Sequence, residues 1–203
     1  MSLRQEQVEA YEAGKQGQSE VQQRVEWEIR PEQPVDASAV EALVSEAFGP
    51  GRFAKSAYRL REGVSPVHPL SFVAIEKHTL RGSIRFWPIF VGAAPALLLG
   101  PLAVQPDQRG RGIGIGLMDR GILEAERLGY RTILLVGDLP YYGRVGFAQV
   151  PLGRMTFSGP VERGRLLGLG LEPGALEALE GAVARGRIDH AVCASGAPLG
   201  AQT

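Results

Sequence analysis

The chain is poor in cysteine and carries no excess of either charge. Cys193 is the single cysteine among 203 residues, so no internal disulfide can form, and we expect a reducing, cytoplasmic compartment. The 22 Lys and Arg residues balance the 22 Asp and Glu residues, which gives no general attraction to nucleic acid or to an anionic membrane. The first residues are polar and rich in Gln and Glu, and they lack the pattern of a signal peptide.

An unbroken apolar helix is also missing. Residues 86–104 contain no charged side chain, and such a run is long enough to cross a membrane as a helix. Prolines and glycines interrupt it, however, at Pro88, Gly92, Pro95, Gly100 and Pro101. We therefore predict two buried strands, Ser83–Val91 and Ala96–Val104, joined by a tight turn at residues 92–95.

The chain does have a glycine-rich turn, Gln108–Gly114, between the second of these strands and a helix predicted for Ile113–Leu128. Glycines let backbone N–H groups close around an anion, and the first N–H groups of a helix have no partner within the helix. Arg109 and Arg111 add positive charge at the same place. The turn therefore predicts a phosphate site, with tight packing of the helix on the sheet as the alternative role of its glycines.

The spacing of these glycines excludes the common nucleotide motifs. A dinucleotide fingerprint needs glycines at i, i+2 and i+5, but the last position falls on Ile115 or Leu117, counted from Gly110 or Gly112. A Walker-type loop needs Gly-Lys-Ser/Thr, which the turn lacks. An arginine–glycine tract that binds RNA would be longer and would lie in a basic chain. The phosphate therefore belongs to another kind of ligand.

The order of the elements predicts an α/β domain with a mixed, mostly antiparallel sheet and one right-handed crossover. Before the glycine turn we expect a strand at residues 25–30, helices at 34–48 and 52–61, and a hairpin of residues 70–91. After the long helix we expect strands at residues 131–136, 147–150, 155–158 and 165–171, a helical turn at 140–144 and a terminal helix at 172–186. We place a polar leader at residues 1–24, the main domain at 25–160, and a C-terminal extension packed on it at 161–203.

A second motif follows the turn within the segment Leu97–Phe147. The turn reads Arg-x-x-Gly-x-Gly from Arg109 to Gly114, and the segment ends in LVGDLPYYGRVGF. A strand, this loop, a helix, another strand and a closing Tyr-x-x-x-Gly-Phe resemble the signature of the GNAT superfamily of acyl-CoA-dependent N-acyltransferases. The compact ending is similar to that of a group of small bacterial members. The resemblance implies the GNAT fold, in which a central strand pair splays and helices flank the sheet.

The resemblance also implies a coenzyme A site along the turn and the strand before it. Backbone N–H groups would hold the pyrophosphate, from Arg109, Gly110, Arg111, Gly112, Ile113 and Gly114. The pantetheine arm would pair like an added strand with the backbone of Leu102, Ala103 and Val104. Gly100-Pro101 indicates a bulge that opens the wedge for this arm, with an ordinary edge irregularity as the alternative.

Acetyl transfer needs a proton for the departing thiolate and polarisation of the thioester carbonyl. Tyr142 precedes Phe147 by the spacing at which the family has its general acid, and a phenol near the sulfur needs no metal. Tyr141 is the neighbouring alternative. A backbone N–H near Ala103 or Val104 would stabilise the oxyanion.

No general base is assigned, because no acidic residue lies between Gly92 and Pro106. Glu76, His68 and His78 could act through water, and deprotonation by bulk water is equally allowed. Asp138 precedes Pro140 and is expected to cap a short helix.

We therefore expect an acetyl-CoA-dependent N-acetyltransferase whose acceptor is a small-molecule or peptide amine that attacks directly in a ternary complex. Because the strand before the glycine turn lacks a carboxylate, one alternative is a weak or inactive acyl-CoA-binding sensor. Another is a longer acyl chain or a non-amine acceptor. Neither nucleic acid nor a membrane is an expected partner, and the C-terminal segment could supply a homodimer surface. A mildly basic cluster predicts a solvated helix face, with binding of an acceptor carboxylate as the alternative, at Arg52, Lys55, Arg59, Arg61 and Glu62.

Overall fold

The computed structural model describes residues 27–51, 56–150, 153–157, 159, 161–162 and 164–186. The predicted leader, residues 52–55 of the second helix and Cys193 lie outside the described residues. The helices are α1 (Ala37–Phe48), α2 (Ser56–Arg59), α3 (Ile113–Arg127) and α4 (Leu139–Tyr142). The strands are β1 (Glu28–Pro31), β2 (Phe72–Glu76), β3 (Thr79–Val91), β4 (Ala94–Val104), β5 (Thr132–Val136), β6 (Ala148–Gln149), β7 (Met155–Phe157), β8 (Leu166–Gly170) and β9 (Gly181–Arg185).

The described strands form one nine-stranded sheet in the order β1-β2-β3-β4-β5-β8-β6, with β9 beside β3 and β7 beside β9. The pairs β4–β5 and β7–β9 are parallel, and the other neighbours are antiparallel. Helix α3 connects the parallel pair β4 and β5, as a parallel connection requires. The predicted α/β class and the mixed, mostly antiparallel sheet are confirmed.

The uncharged run of residues 86–104 forms most of the β3–β4 hairpin, as the prolines and glycines predict. Leu97 and Leu98 are fully buried, with 0% exposure, because helices or loops cover both faces of this central hairpin. No helix among the described residues is long and apolar enough to cross a membrane.

Helices cover the sheet on both faces. The apolar stripe of α3 packs with Leu97 and Leu99 in the main core, whereas α1 packs on the face of Val73 and Ala103. Gly121 lets α3 approach the sheet closely, since a Cβ at this position would lie 2.4 Å from a ring carbon of Phe86. This packing holds the start of α3 against the end of β4.

The predicted terminal helix at residues 172–186 is wrong. Residues 173–178 are turns, and residues 181–185 form β9, which pairs with Ile89–Val91 of β3. Gly174 and Gly181 have φ angles of 75° and 117°, which a right-handed helix does not allow. The strand predicted at residues 165–171 is confirmed as β8, and it lies between β5 and β6. The assignment of residues 161–203 as an extension stays a prediction.

A bulge interrupts the pairing of β3 with β4. Ile84 pairs with Leu102 and Phe86 with Leu99, so Arg85 faces two residues, Gly100 and Pro101. The Gly100-Pro101 peptide bond is cis, and Gly100 has a φ of 113°. The indole N–H of Trp87 donates to the Gly100 carbonyl at 2.7 Å. The bulge predicted at Gly100-Pro101 is therefore present, and both residues line a deep cleft.

Candidate active site

The cleft opens where two central strands separate. In the described structure β4 and β5 pair at two positions, Leu97 with Ile133 and Leu98 with Leu134. Beyond Leu98, β4 stays paired with β3, whereas β5 stays paired with β8. The space between them has a volume of about 670 Å³ and is lined by residues 99–104 on one side and 135–138 on the other. One edge of β4 therefore faces the cleft without a neighbouring strand, and an extended ligand could pair with it.

The glycine turn closes one end of this cleft. Gly110 and Gly112 have φ angles of 84° and 83°, and open space lies where their Cβ atoms would be. Gly112 is the N-cap of α3, and in the described residues no side chain caps the helix and no acidic residue lies in its first turn. The N–H groups at the start of α3 therefore remain available to an anion, and the helix dipole favours negative charge there.

The side chain of Arg111 lies away from the cleft, whereas that of Arg109 lines it. Arg111 Nη2 lies 2.8 Å from Glu76 Oε1, and Arg81 Nε lies 2.9 Å from the other oxygen of the same carboxylate. The close ion pair with Arg111, followed by the charge of Arg81, holds the pKa of Glu76 below its ordinary value against the opposing effect of burial. Glu76 is 5% exposed, so it anchors the turn to the end of β2.

Tyr142 lies on the opposite wall of the cleft. Its ring lies edge-on to Phe147, with the ring centroids 6.1 Å apart. On another side it contacts Gly137, where a Cβ would lie 2.3 Å from Tyr142 Cε2. Burial, opposed in part by Arg61 and Arg165, raises the pKa of Tyr142 to about 12. The phenol is therefore protonated at neutral pH, and its hydroxyl makes no hydrogen bond to another described residue.

Arg61, which follows α2, also enters the cleft. Its Nη2 donates a long hydrogen bond to the Leu99 carbonyl oxygen at 3.5 Å, and its Nε is buried without a hydrogen-bond partner in the described structure. Gly100 leaves room for the guanidinium, because a Cβ there would lie 3.0 Å from Nη2. The predicted solvated face is therefore wrong for Arg61, whereas the side chain of Arg59 is exposed as expected.

Comparison with known proteins decides the family. Residues 68–149 match the family model described as an acetyltransferase (GNAT) domain. The uncharacterised N-acetyltransferase YhbS of Escherichia coli is 32% identical over 122 residues, which are 59% of this chain and 72% of that protein. The chain belongs to the GNAT family of N-acetyltransferases.

Solved GNAT structures agree with this fold. The crystal structure of E. coli YhbS in complex with CoA has a TM-score of 0.68 and 27% identity, covering 79% of this chain and 90% of that one. A GNAT acetyltransferase from Brucella melitensis in complex with acetyl-CoA has a TM-score of 0.60 and 28% identity, covering 79% and 96%. The GNAT fold expected from the sequence is therefore confirmed.

The structure of this GNAT chain brings most of the predicted site residues to one cleft. Those that line it are Leu102, Ala103, Val104, Arg109, Gly110, Gly112, Ile113, Gly114 and Tyr142. Tyr141, the alternative acid, also lines it, and its hydroxyl oxygen would lie 2.1 Å from a Cβ on Gly114. The roles assigned to these residues stay predictions.

The three residues that the sequence offered as possible general bases lie outside the cleft. Glu76, His68 and His78 do not line the cleft. Asp138 occupies the N-cap of α4 but makes no capping hydrogen bond. Its Oδ1 lies 3.4 Å from Arg165 Nη2, and Arg165 Nη1 lies 3.6 Å from Glu162 Oε2.

Arg165 and Glu162 were missed because no motif marks the segment that follows β7. Only the insertion of β8 beside β5 brings this segment to the cleft wall. The sequence shows Arg61 as part of a basic run, and no local signal separates its half-buried place in the cleft from the exposed place of Arg59.

Proposed function

We infer that this chain binds acetyl-CoA in the cleft between β4 and β5 and transfers the acetyl group to an amine. The proposal is supported most directly by two neighbouring features of the cleft, a free strand edge and an anion site. The unpaired edge of β4 leads directly into a glycine turn whose helix start is uncapped. An extended arm that ends in a pyrophosphate matches this combination, since the arm can pair with a strand edge and the phosphates with helix N–H groups.

The donor's orientation follows from the same geometry. The pyrophosphate would lie against residues 109–114, with Arg109 supplying a side-chain cation. The pantetheine arm would run along Leu102, Ala103 and Val104 toward the bulge. The thioester would then lie deep in the cleft, near Tyr142 and the bulge, where side chains from both walls converge. The CoA complex of YhbS and the acetyl-CoA complex of the Brucella protein support this choice of donor.

The reaction needs one bond formed and one broken. The neutral amine nitrogen attacks the thioester carbonyl carbon, and a backbone N–H of β4 near Ala103 or Val104 stabilises the oxyanion. The C–N bond forms, the C–S bond breaks, and the Tyr142 hydroxyl gives its proton to the departing thiolate. Water returns a proton to the phenolate. Both reactants are bound before transfer, so no acyl-enzyme is required.

The amine must also lose a proton. Asp138 and Glu162 are the carboxylates among the described cleft residues, and both lie near Arg165. Their side chains are 74% and 75% exposed, so they reach the proton through water. This route is open to any amine that is partly neutral at the working pH.

Calorimetry with acetyl-CoA, followed by a thiol-release assay over a panel of amines, tests the proposal. We expect binding and turnover with at least one amine. Gly112→Ala should weaken acetyl-CoA binding, because alanine at a φ of 83° strains the helix start that faces the phosphates.

Gly174→Ala is the matched control. Gly174 has a φ of 75° and open space at its Cβ position, but it does not line the cleft. Both variants should lose about 1–2 kcal/mol of stability. Only Gly112→Ala should also weaken acetyl-CoA binding, by about tenfold, which corresponds to the loss of one hydrogen bond to a phosphate. Failure of the wild type to bind acetyl-CoA contradicts the proposal. Binding without turnover on any amine supports the sensor instead.

A further inference from the structure

Arg61 carries a charge that the described protein leaves almost unpartnered. No carboxylate of the described residues forms an ion pair with it, and the groups that interact with its charge are the phenols Tyr58 and Tyr142. Within the described residues its guanidinium makes one hydrogen bond, to the Leu99 carbonyl at 3.5 Å, which is longer than a normal N–H···O bond. Burial lowers the pKa of Arg61 to about 10, so the guanidinium is still charged at neutral pH. The Arg61 side chain is half-buried, and its Nε is buried without a hydrogen-bond partner in the described structure. A charged group in such a place is costly unless something pairs with it.

The position of Arg61 separates it from the phosphate end of the cleft. It contacts β4 at Leu99 and Gly100, whereas the glycine turn begins after Val104. The strand between Gly100 and Val104 spans about 13 Å at the usual rise per residue. The donor's phosphates, held at the turn, therefore lie too far away to be the partner of Arg61.

The other cleft arginines differ from Arg61. Arg165 has Asp138 and Glu162 as carboxylate neighbours, and the side chains of Arg109 and Arg144 are exposed to solvent. Arg61 alone among these described arginines combines a buried Nε, a missing counter-ion and a place beside the bulge. It is also within electrostatic reach of the proposed acid Tyr142. An anionic group that pairs with Arg61 would therefore be held close to the reacting atoms.

We propose that Arg61 binds a carboxylate of the acceptor, so that the substrates are amines that carry a carboxylate, such as free amino acids. This inference rests on the proposed acetyltransferase function and specifies its acceptor. A guanidinium offers a planar pair of donors that matches a carboxylate. The walls beside it include Val44, Ala47 and Phe48, which provide apolar contacts for the rest of the acceptor.

Matched acceptors test this proposal. The panel contains amino acids with the carboxylate one to three carbons from the amine, their carboxamides, and the corresponding decarboxylated amines. The assay measures kcat/KM from thiol release at saturating acetyl-CoA. We expect the best amino acid to exceed its carboxamide and its decarboxylated analogue by about 10- to 100-fold, as for the loss of a charge-assisted hydrogen bond.

Variants of Arg61 test whether this residue binds the carboxylate of the acceptor. Arg61→Met should reduce the preference ratio to about one, and Arg61→Lys should give an intermediate ratio, because an ammonium keeps the charge but loses the paired donors. Arg59→Met is the control: Arg59 ends α2, is exposed and does not line the cleft. It should keep the wild-type ratio. The unfolding temperature of Arg61→Met should be equal to or above that of the wild type, because a half-buried charge without a counter-ion among the described residues is removed.

The outcomes separate this proposal from the function on which it rests. Absence of acetyl-CoA binding overturns the proposed function itself. Binding and turnover with a preference ratio near one in the wild type overturn only the role of Arg61. A lower unfolding temperature of Arg61→Met together with an unchanged ratio assigns Arg61 a structural role and likewise overturns the proposal.

Discussion

Replacing Gly137 with alanine should displace Tyr142 while leaving its chemistry intact. Gly137 follows β5 and is buried. Its φ is outside the left-handed region, so alanine is compatible with the backbone. The new methyl group would lie 2.3 Å and 2.8 Å from two ring carbons of Tyr142 and 2.9 Å from Leu135 Cδ1. Because ordinary carbon contacts are about 3.5–4.0 Å, the ring must move by about 1 Å.

The ring has little freedom to absorb this movement locally. Tyr141 and Phe147 pack edge-on against it, with ring centroids at 5.2 Å and 6.1 Å. Overpacking of this kind costs about 1–3 kcal/mol of stability. A misplacement of about 1 Å in a reacting group can lower the rate by about 100-fold. We therefore expect kcat to fall much further than the fraction of folded protein.

The assay is a double-mutant cycle on kcat, measured by thiol release from acetyl-CoA with the fastest amine of the panel. If Gly137→Ala acts through the position of the Tyr142 hydroxyl, adding it to Tyr142→Phe should cost little further activity. Calorimetry should show acetyl-CoA affinity within about threefold of the wild type in both single variants, a change of less than 1 kcal/mol.

Gly143→Ala is the control for adding a methyl group in the same region. Gly143 is helical, with a φ of −59°, and the nearest atom to its added Cβ is Leu139 Cδ1 at 3.6 Å. This variant should keep kcat. The reasoning is refuted if Gly137→Ala keeps nearly full activity while Tyr142→Phe is slow, or if the two losses multiply.

Two further predictions concern stability. Gly121→Ala should destabilise the protein by about 1–2 kcal/mol, because overpacking against Phe86 outweighs the gain of about 1 kcal/mol in helix propensity; urea unfolding measures this loss, and a stabilised variant would contradict the close contact. Asp36→Asn should cost about 1–2 kcal/mol near neutral pH, since Asp36 accepts two hydrogen bonds from Arg30 at 2.7 Å and 2.8 Å. The bond from Arg30 lowers the pKa of Asp36, so this stabilisation is complete above the ordinary carboxyl pKa and is lost as the pH falls through the lowered folded-state value. Unfolding curves of the two proteins should converge in acid, and a pH-independent difference would argue against the ion pair.

Much of the fold could be predicted because its signals are local. The turn at Lys77 and His78, the interruption of the apolar run at Gly92, and the period of the long helix each depend on a few neighbouring residues. The terminal helix was mispredicted for a related reason. Leu176, Leu179 and Val183 are spaced like a helix face, but Val183 lies in β9, whose residues pair with β3 and β7 instead.

The candidate site also contains some residues that the sequence predicts and others that only tertiary contacts bring together. The glycine turn and Tyr142 lie in motifs whose spacing is visible along the chain. The ion pair of Glu76 with Arg111 joins residues far apart in sequence, and no periodicity marks it. Glu162 and Arg165 reach the cleft only because β8 inserts beside β5.

The α/β class, the order of the central elements and the family resemblance can all be predicted from the amino-acid sequence, because glycine spacing and hydrophobic period are properties of short segments. The place of each charged side chain, in contrast, depends on tertiary packing. Arg59 and Arg61 are two residues apart in one basic run, yet the first is exposed and the second lies beside the bulge of β4. The burial of a side chain depends on which residues from the rest of the chain pack against it. Tertiary packing therefore leaves the charge of Arg59 in solvent and places that of Arg61 in the cleft.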